Sequence, residues 1–215
     1  LAACGGGSDD GPVSDHSGQR GSLVLNPPET TLELSASDFA ARLGSSDDGK
    51  KLLQLSGTPL CGVRYHSMEY GTVGGANEVT NASGAIIVPT GSHPSCSGPR
   101  PVLLYAHGTS TDRAFNLANI NDKNPGSGEG ALLGAMYAAQ GFIVVAPNYA
   151  GYHLSRLPYH PYLNADQQSK DMMDALTAAR KALPRISGGD SGQLLISGYS
   201  QGGHVAMATQ RALQN

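Results

Sequence analysis

Three short apolar runs punctuate the second half of the chain: Pro101 to Ala106, Phe142 to Ala146, and Gln193 to Ser197 with Leu194, Leu195 and Ile196 at its centre. Runs this short, apolar towards both faces, predict strands buried in a sheet. Helical spacing lies between them. Glu129 to Gln140 predicts a helix that turns Leu132, Leu133, Met136 and Tyr137 towards the sheet, with Gly141 as its stop. Asn164 to Leu183 predicts a longer helix, with Ala165, Met172, Leu176, Ala179 and Leu183 recurring on one face. Asn164 with Gln167 forms a capping pair, and Pro184 ends the element. His204 to Leu213 reads as a last helix.

Upstream the period changes to two. Val63, Tyr65, Met68 and Tyr70 alternate with polar residues, Gly74-Gly75 turns the chain, and Val79 to Val88 returns, which predicts a hairpin. Ser35 to Leu43 reads as a short helix capped by Ser35 or Ser37 and broken at Asp47-Asp48-Gly49. Residues 89–99 and 110–128 read as loops. The order is therefore hairpin, then strands separated by helices. It defines an α/β domain over residues 31–215, with a mostly parallel sheet, right-handed crossovers and an antiparallel start. There are no repeats.

Composition narrows the setting. Charged residues make up 14% of 215 and the formal net charge is -3, so nothing points to nucleic acid. No apolar stretch reaches the roughly 18–20 residues that span a bilayer. The Gly/Ser/Asp-rich run from Gly5 to Gly21 extends a predicted tether to about residue 30. Ahead of it, Leu1-Ala2-Ala3-Cys4-Gly5 resembles a bacterial lipobox, in which Cys4 would carry lipid. Export as a lipoprotein follows, with any membrane contact made through that anchor. Cys61 and Cys96 then remain, and an exported chain favours a disulfide between them. It would close a loop of about 35 residues, worth about 3 kcal/mol in the chain-entropy account.

The chemistry centres on Gly198-Tyr199-Ser200-Gln201-Gly202. An apolar strand precedes it and a helix follows, the setting of a G-x-S-x-G nucleophile elbow. Such a turn holds its serine on a strained backbone, and the positions two before and two after must be small. The new helix aims its first N–H groups at the place where an oxyanion would form. Ser200 is the candidate nucleophile and the Gln201 amide one oxyanion donor. The second donor belongs on the loop after Ala106, where His107-Gly108-Thr109 stands, so Thr109 is the candidate and Gly108 the alternative. His107 reads as the group that orients this loop, and with Tyr149 and Tyr152 it is a candidate substrate contact. His153 and His160 sit in the same Tyr-rich loop, which is expected to rim the site. His204 falls one helical turn beyond Ser200 and reads as packing or pocket wall. His16, His66 and His93 show no metal spacing, and neither metal nor cofactor is expected. Asn81-Ala82-Ser83 matches a glycosylation sequon, which carries no weight if the source is bacterial.

Tyr105 to Thr109, Ala146-Pro147-Asn148-Tyr149-Ala150-Gly151 and Ser197 to Gly203 together resemble bacterial members of the secretory lipase family of α/β-hydrolases. The resemblance covers roughly residues 60–215. It implies an α/β-hydrolase fold, carboxylic ester hydrolysis (polyesters included), and a lid over the pocket. It also implies a triad completed by Asp and His from a C-terminal half. The triad order on this fold is Ser, acid, His. The fifteen residues after Ser200 hold no Asp, no Glu and a single histidine, His204. The sequence thus reads as the N-terminal part of a hydrolase, whose remaining segment is expected to pair with the apolar strand at Gln193–Ser197. Unpaired, that strand would be an aggregation-prone edge. Two rival readings are a serine peptidase of the same fold and a non-catalytic surface lipoprotein that binds lipid or polymer.

Overall fold

The computed structural model describes residues 19–121 and 123–214. Cys4 and the lipobox lie outside the described residues. Among the described residues six strands form one sheet in the order β1-β2-β3-β5-β4-β6. They are β1 Glu29–Leu34, β2 Gly62–Val73, β3 Val79–Thr90, β4 Pro99–Ala106, β5 Ile143–Pro147 and β6 Gly189–Gly198. The helices are α1 Ala36–Gly44, α2 Asp47–Ser56, α3 Ser127–Met136, α4 Ala165–Ala182 and α5 Gln201–Leu213.

The sheet is mixed. β4 pairs in parallel with both β5 and β6, while β1, β2, β3 and β5 are joined by antiparallel ladders. The antiparallel start is thus longer than the hairpin that alternation predicted, because β1 adds a strand to it. β4 and β5 are almost wholly buried, as their continuous apolar runs require. β6 was expected as a buried strand, but it closes one side of the sheet among the described residues, which leaves Leu195 at its centre 45% exposed.

Three local readings need correction. The Asp47-Asp48-Gly49 segment does not merely end α1; it starts α2. Ser46 caps that helix by accepting the Gly49 N–H at 3.1 Å, and the two aspartates favour its positive N-terminal end. α3 does not turn Leu132 inward; Leu132 is exposed while Leu133, Gly134 and Ala135 are buried. Gly134 lets the helix approach β2 so closely that a Cβ there would overlap the Tyr65 hydroxyl, and that hydroxyl donates to the Gly130 carbonyl at 2.9 Å. Nor does the tether reach residue 30. Leu23 is buried and bridges to Tyr70, and Arg20 pairs with Asp174 at 2.9 Å. Short apolar anchors inside a polar stretch carry no periodicity, so composition alone hid them.

The helix caps, the turn at Gly141 and the disulfide are as expected. Ser35 caps α1, and Asn164 caps α4 by accepting the Gln167 N–H at 3.1 Å. Gly141 adopts a left-handed φ of 103° where the α3 segment stops. Cys61 and Cys96 form a disulfide between the start of β2 and the loop before β4. Asn81 is buried within β3, its amide donating to Glu69 and to the Leu154 carbonyl, so the sequon has no room for a glycan. Among the described residues, no helix is long and apolar enough to cross a membrane, and no group of three His, Cys, Asp or Glu side chains is arranged to hold a metal.

Candidate active site

β6 runs straight into α5, and Ser200 is the hinge between them. Its φ of 55° and ψ of -119° put a non-glycine residue in a region that costs of order 1–3 kcal/mol. The flanking glycines explain how the turn closes. A Cβ at Gly198 would overlap the Gly202 carbonyl, and a Cβ at Gly202 would overlap the carbonyl of Ala106 on β4. The side chain of Ser200 is exposed, above the end of the parallel strands.

The helix start leaves the amide next to the serine unused. Gly202 N–H donates to the Tyr199 carbonyl at 2.8 Å and Gly203 N–H to the Ser200 carbonyl at 2.9 Å. The Gln201 N–H has no acceptor among the described residues.

The β4 loop lies alongside. Tyr199 N–H donates to the Ala106 carbonyl at 3.3 Å, and a Cβ at Gly108 would come within 2.9 Å of the Tyr199 ring. The Gly108 N–H is committed to Glu129 on α3, at 3.3 Å, and the same carboxylate oxygen takes the Tyr105 hydroxyl at 2.7 Å. Thr109 is exposed, and its N–H has no acceptor among the described residues. Of the two amides considered on this loop, only that of Thr109 is uncommitted.

His107 and Tyr149, both candidate substrate contacts, are fully buried. The His107 ring is stacked between Phe115 and Tyr149, with centroids 4.3 and 4.0 Å away. Its nitrogens face the carbonyls of Gly108 at 2.6 Å and Asn148 at 3.0 Å, and burial holds its pKa down to about 4. A neutral imidazole carries one N–H, so one of the two carbonyls receives it. The Tyr149 hydroxyl donates back to the His107 carbonyl at 3.0 Å. Both residues therefore brace the loop after β4 from beneath. The left-handed φ of 67° at Tyr149 swings its ring there, a geometry that no sequence pattern announces.

Tyr152 and His160 do border space. With Thr109, Thr111, Arg113, Tyr159 and Tyr162 they line a cleft of about 500 Å³ next to the elbow. His153 points elsewhere, between Ser83 and the amide of Asn116. His204 is exposed in a groove between α4 and α5, lined also by Asp166, Ser169 and Met207.

Sequence reasoning missed two acidic residues. Glu129 fixes the Gly108 amide, as described. Asp171, fully buried on α4, accepts the Ala150 N–H and the Tyr70 hydroxyl, each at 2.7 Å, and burial raises its pKa to about 6. Both look like ordinary helix carboxylates in sequence; a polar residue on the inward face of α4 was the only signal for Asp171.

A strained serine between a parallel strand and a helix, beside an uncommitted loop amide, places this chain in the α/β-hydrolase fold of esterases and lipases. The solved structures bear this out. The ligand-bound rice cell wall degrading esterase LipA from Xanthomonas oryzae is 34% identical, with a TM-score of 0.76 over 91% of this chain and 46% of its own. A protein described as a candidate hydrolase from Legionella pneumophila is 26% identical, with a TM-score of 0.71 over 89% of this chain and 47% of that one. The closed form of Candida antarctica lipase A shares the fold alone, at 13% identity and a TM-score of 0.52. The chain thus spans about half the length of the esterase structures it matches. No family model and no curated protein matches it.

Proposed function

We propose that this chain carries the nucleophile and oxyanion hole of a serine carboxylic ester hydrolase. The observation that carries the reading is the backbone of Ser200, strained at φ 55° and ψ -119° and enclosed by glycines that admit no Cβ. Strain of this kind persists only where the surroundings enforce it, and here it exposes a hydroxyl at a helix N-terminus. The naming of LipA as a cell wall degrading esterase supports the same chemistry.

In the proposed reaction a histidine removes the Ser200 proton and Oγ attacks the ester carbonyl. The Thr109 and Gln201 amides hold the resulting oxyanion, and loss of one such donor costs about 3 kcal/mol in the transition state. The alcohol leaves, and water releases the acid from the serine ester. None of these steps draws on a cofactor. Among the described residues no histidine or carboxylate bonds to Ser200. The base and its acid are assigned to a further segment of the protein, seated against the open side of β6. The Tyr152, Tyr159 and Tyr162 walls suit apolar acyl groups, polyester substrates among them. The disulfide agrees with export, and lipid at Cys4 would then supply the membrane attachment.

Hydrolysis of p-nitrophenyl esters by the full-length protein tests the reading. Ser200→Ala is expected to lower kcat by about 10⁴-fold or more. Activity unchanged by that substitution would overturn it in favour of a different site.

A further inference from the structure

His160 makes a link that the mechanism above does not use. It sits half-buried in the loop between β5 and α4, with its ring 4.7 Å from Tyr152 and stacked 5.6 Å from Tyr149. Its Nδ1 lies 2.9 Å from the Ala150 carbonyl, an atom that only accepts, which assigns the ring proton to Nδ1. Nε2 is then an acceptor, and the Gln201 side-chain amide donates to it at 2.7 Å. The Gln168 amide reaches the same lone pair from α4 at 3.4 Å. Burial lowers the pKa of His160, which keeps the ring in this neutral form.

Gln201 is the residue whose backbone N–H faces the developing oxyanion. Its side chain is buried, and its Oε1 has no hydrogen-bond partner. The bond to His160 is therefore its only polar hold among the described residues. The other end of the link is firm, because Ala150 N–H is anchored on Asp171 at 2.7 Å. A continuous strut runs from α4 through Asp171, Ala150 and His160 to the side chain of Gln201. It ends on the peptide that follows the strained Ser200, the one whose rotation would both relax the elbow and turn the N–H away.

We propose that His160 is a positioning residue for ester hydrolysis, which holds the oxyanion-donating peptide of Gln201 in place by accepting a hydrogen bond from the Gln201 side chain. The inference rests on the ester-hydrolase reading. It gives the loop after β5 a role in transition-state stabilisation, carried through the elbow.

A double-mutant cycle in the full-length protein tests it. His160→Phe keeps a ring against Tyr149 and Tyr152 but removes the acceptor; Gln201→Met keeps the side-chain length but removes the donor. Each is expected to lower kcat about tenfold, with KM within twofold of wild type, because a misplaced donor weakens the transition state and not the ground state. The double variant is expected to be no slower than the slower single variant. His160→Gln, which restores an acceptor, should recover most of the rate. Should His160→Phe not fold, Gln201→Met and His160→Gln carry the comparison. Rate losses that multiply in the double variant would overturn the inference, as would a raised KM at unchanged kcat, or Gln201→Met matching wild type. A wild-type protein without esterase activity would instead overturn the ester-hydrolase reading on which the inference stands.

Discussion

At the scale of single residues, the elbow is a problem of backbone crowding. Gly202 stands against the Ala106 and His107 carbonyls with no space for a methyl group. Gly202→Ala must therefore push α5 away from β4 or flatten the turn. The expected cost is about 3 kcal/mol of stability, from overpacking against backbone that cannot shift cheaply, together with loss of esterase activity. Urea unfolding of the two proteins measures the first. A stable, active Gly202→Ala protein would show that the enclosure of Ser200 is not what shapes the site. The glycines and the serine were legible in sequence, since the five-residue pattern states them outright. The supports of the loop were only half legible. His107 was foreseen as orienting the loop, but its burial between Phe115 and Tyr149 depends on a left-handed Tyr149, and nothing local requires one.

At the scale of elements, strands and long helices are legible where burial leaves a pattern in the sequence. Alternation marked the hairpin and helical spacing marked α4, while β4 and β5, buried on both faces, stood out as continuous apolar runs. β1 and α2 were not legible. β1 is mostly exposed and its six residues, Glu29 to Leu34, hold only two large apolar side chains, so neither alternation nor an apolar run marks it. α2 begins at the aspartates that also serve as helix breakers, and only its capping serine separates the two meanings. The disulfide pins this region to the sheet, joining the start of β2 to the turn before β4 across a separation of 35 residues. Replacing both cysteines by alanine is expected to cost about 3 kcal/mol, chiefly by freeing the unfolded chain. Equal denaturant midpoints for the two proteins would contradict that. The buried Arg100 donates to the carbonyls of Pro89, Cys96 and Ser187, so the same turn is also tied to the approach to β6.

For the whole molecule, buried titratable groups set a pH dependence. Burial is the largest cause holding both His66 and His107 down to about 4. An unfolded histidine titrates near 6.5. A lowered folded pKa gives stability that is present above that value and lost as pH falls towards 4. Asp171 runs the other way: raised to about 6, its contribution is present below the unfolded carboxylate range and fades as pH rises. Burial lowers four histidines, His66, His107, His153 and His160, and raises two carboxylates, Asp171 and Asp174, so the balance predicts net destabilisation by acid as pH falls below 6.5. His66 is remote from the elbow, and its Nε2 has no hydrogen-bond partner. His66→Leu is expected to make the stability–pH slope in that window shallower by up to one proton. Parallel slopes in wild type and variant would contradict the assignment.

The central claim is that Ser200 is an activated nucleophile whose base comes from beyond the described residues. Labelling the full-length protein with a fluorophosphonate, followed by peptide mapping, tests it most directly. The account predicts a single adduct, on the peptide that contains Ser200, abolished by Ser200→Ala. Well-folded protein that takes no label, or carries it on another serine, would contradict the claim and move the non-catalytic binding reading ahead.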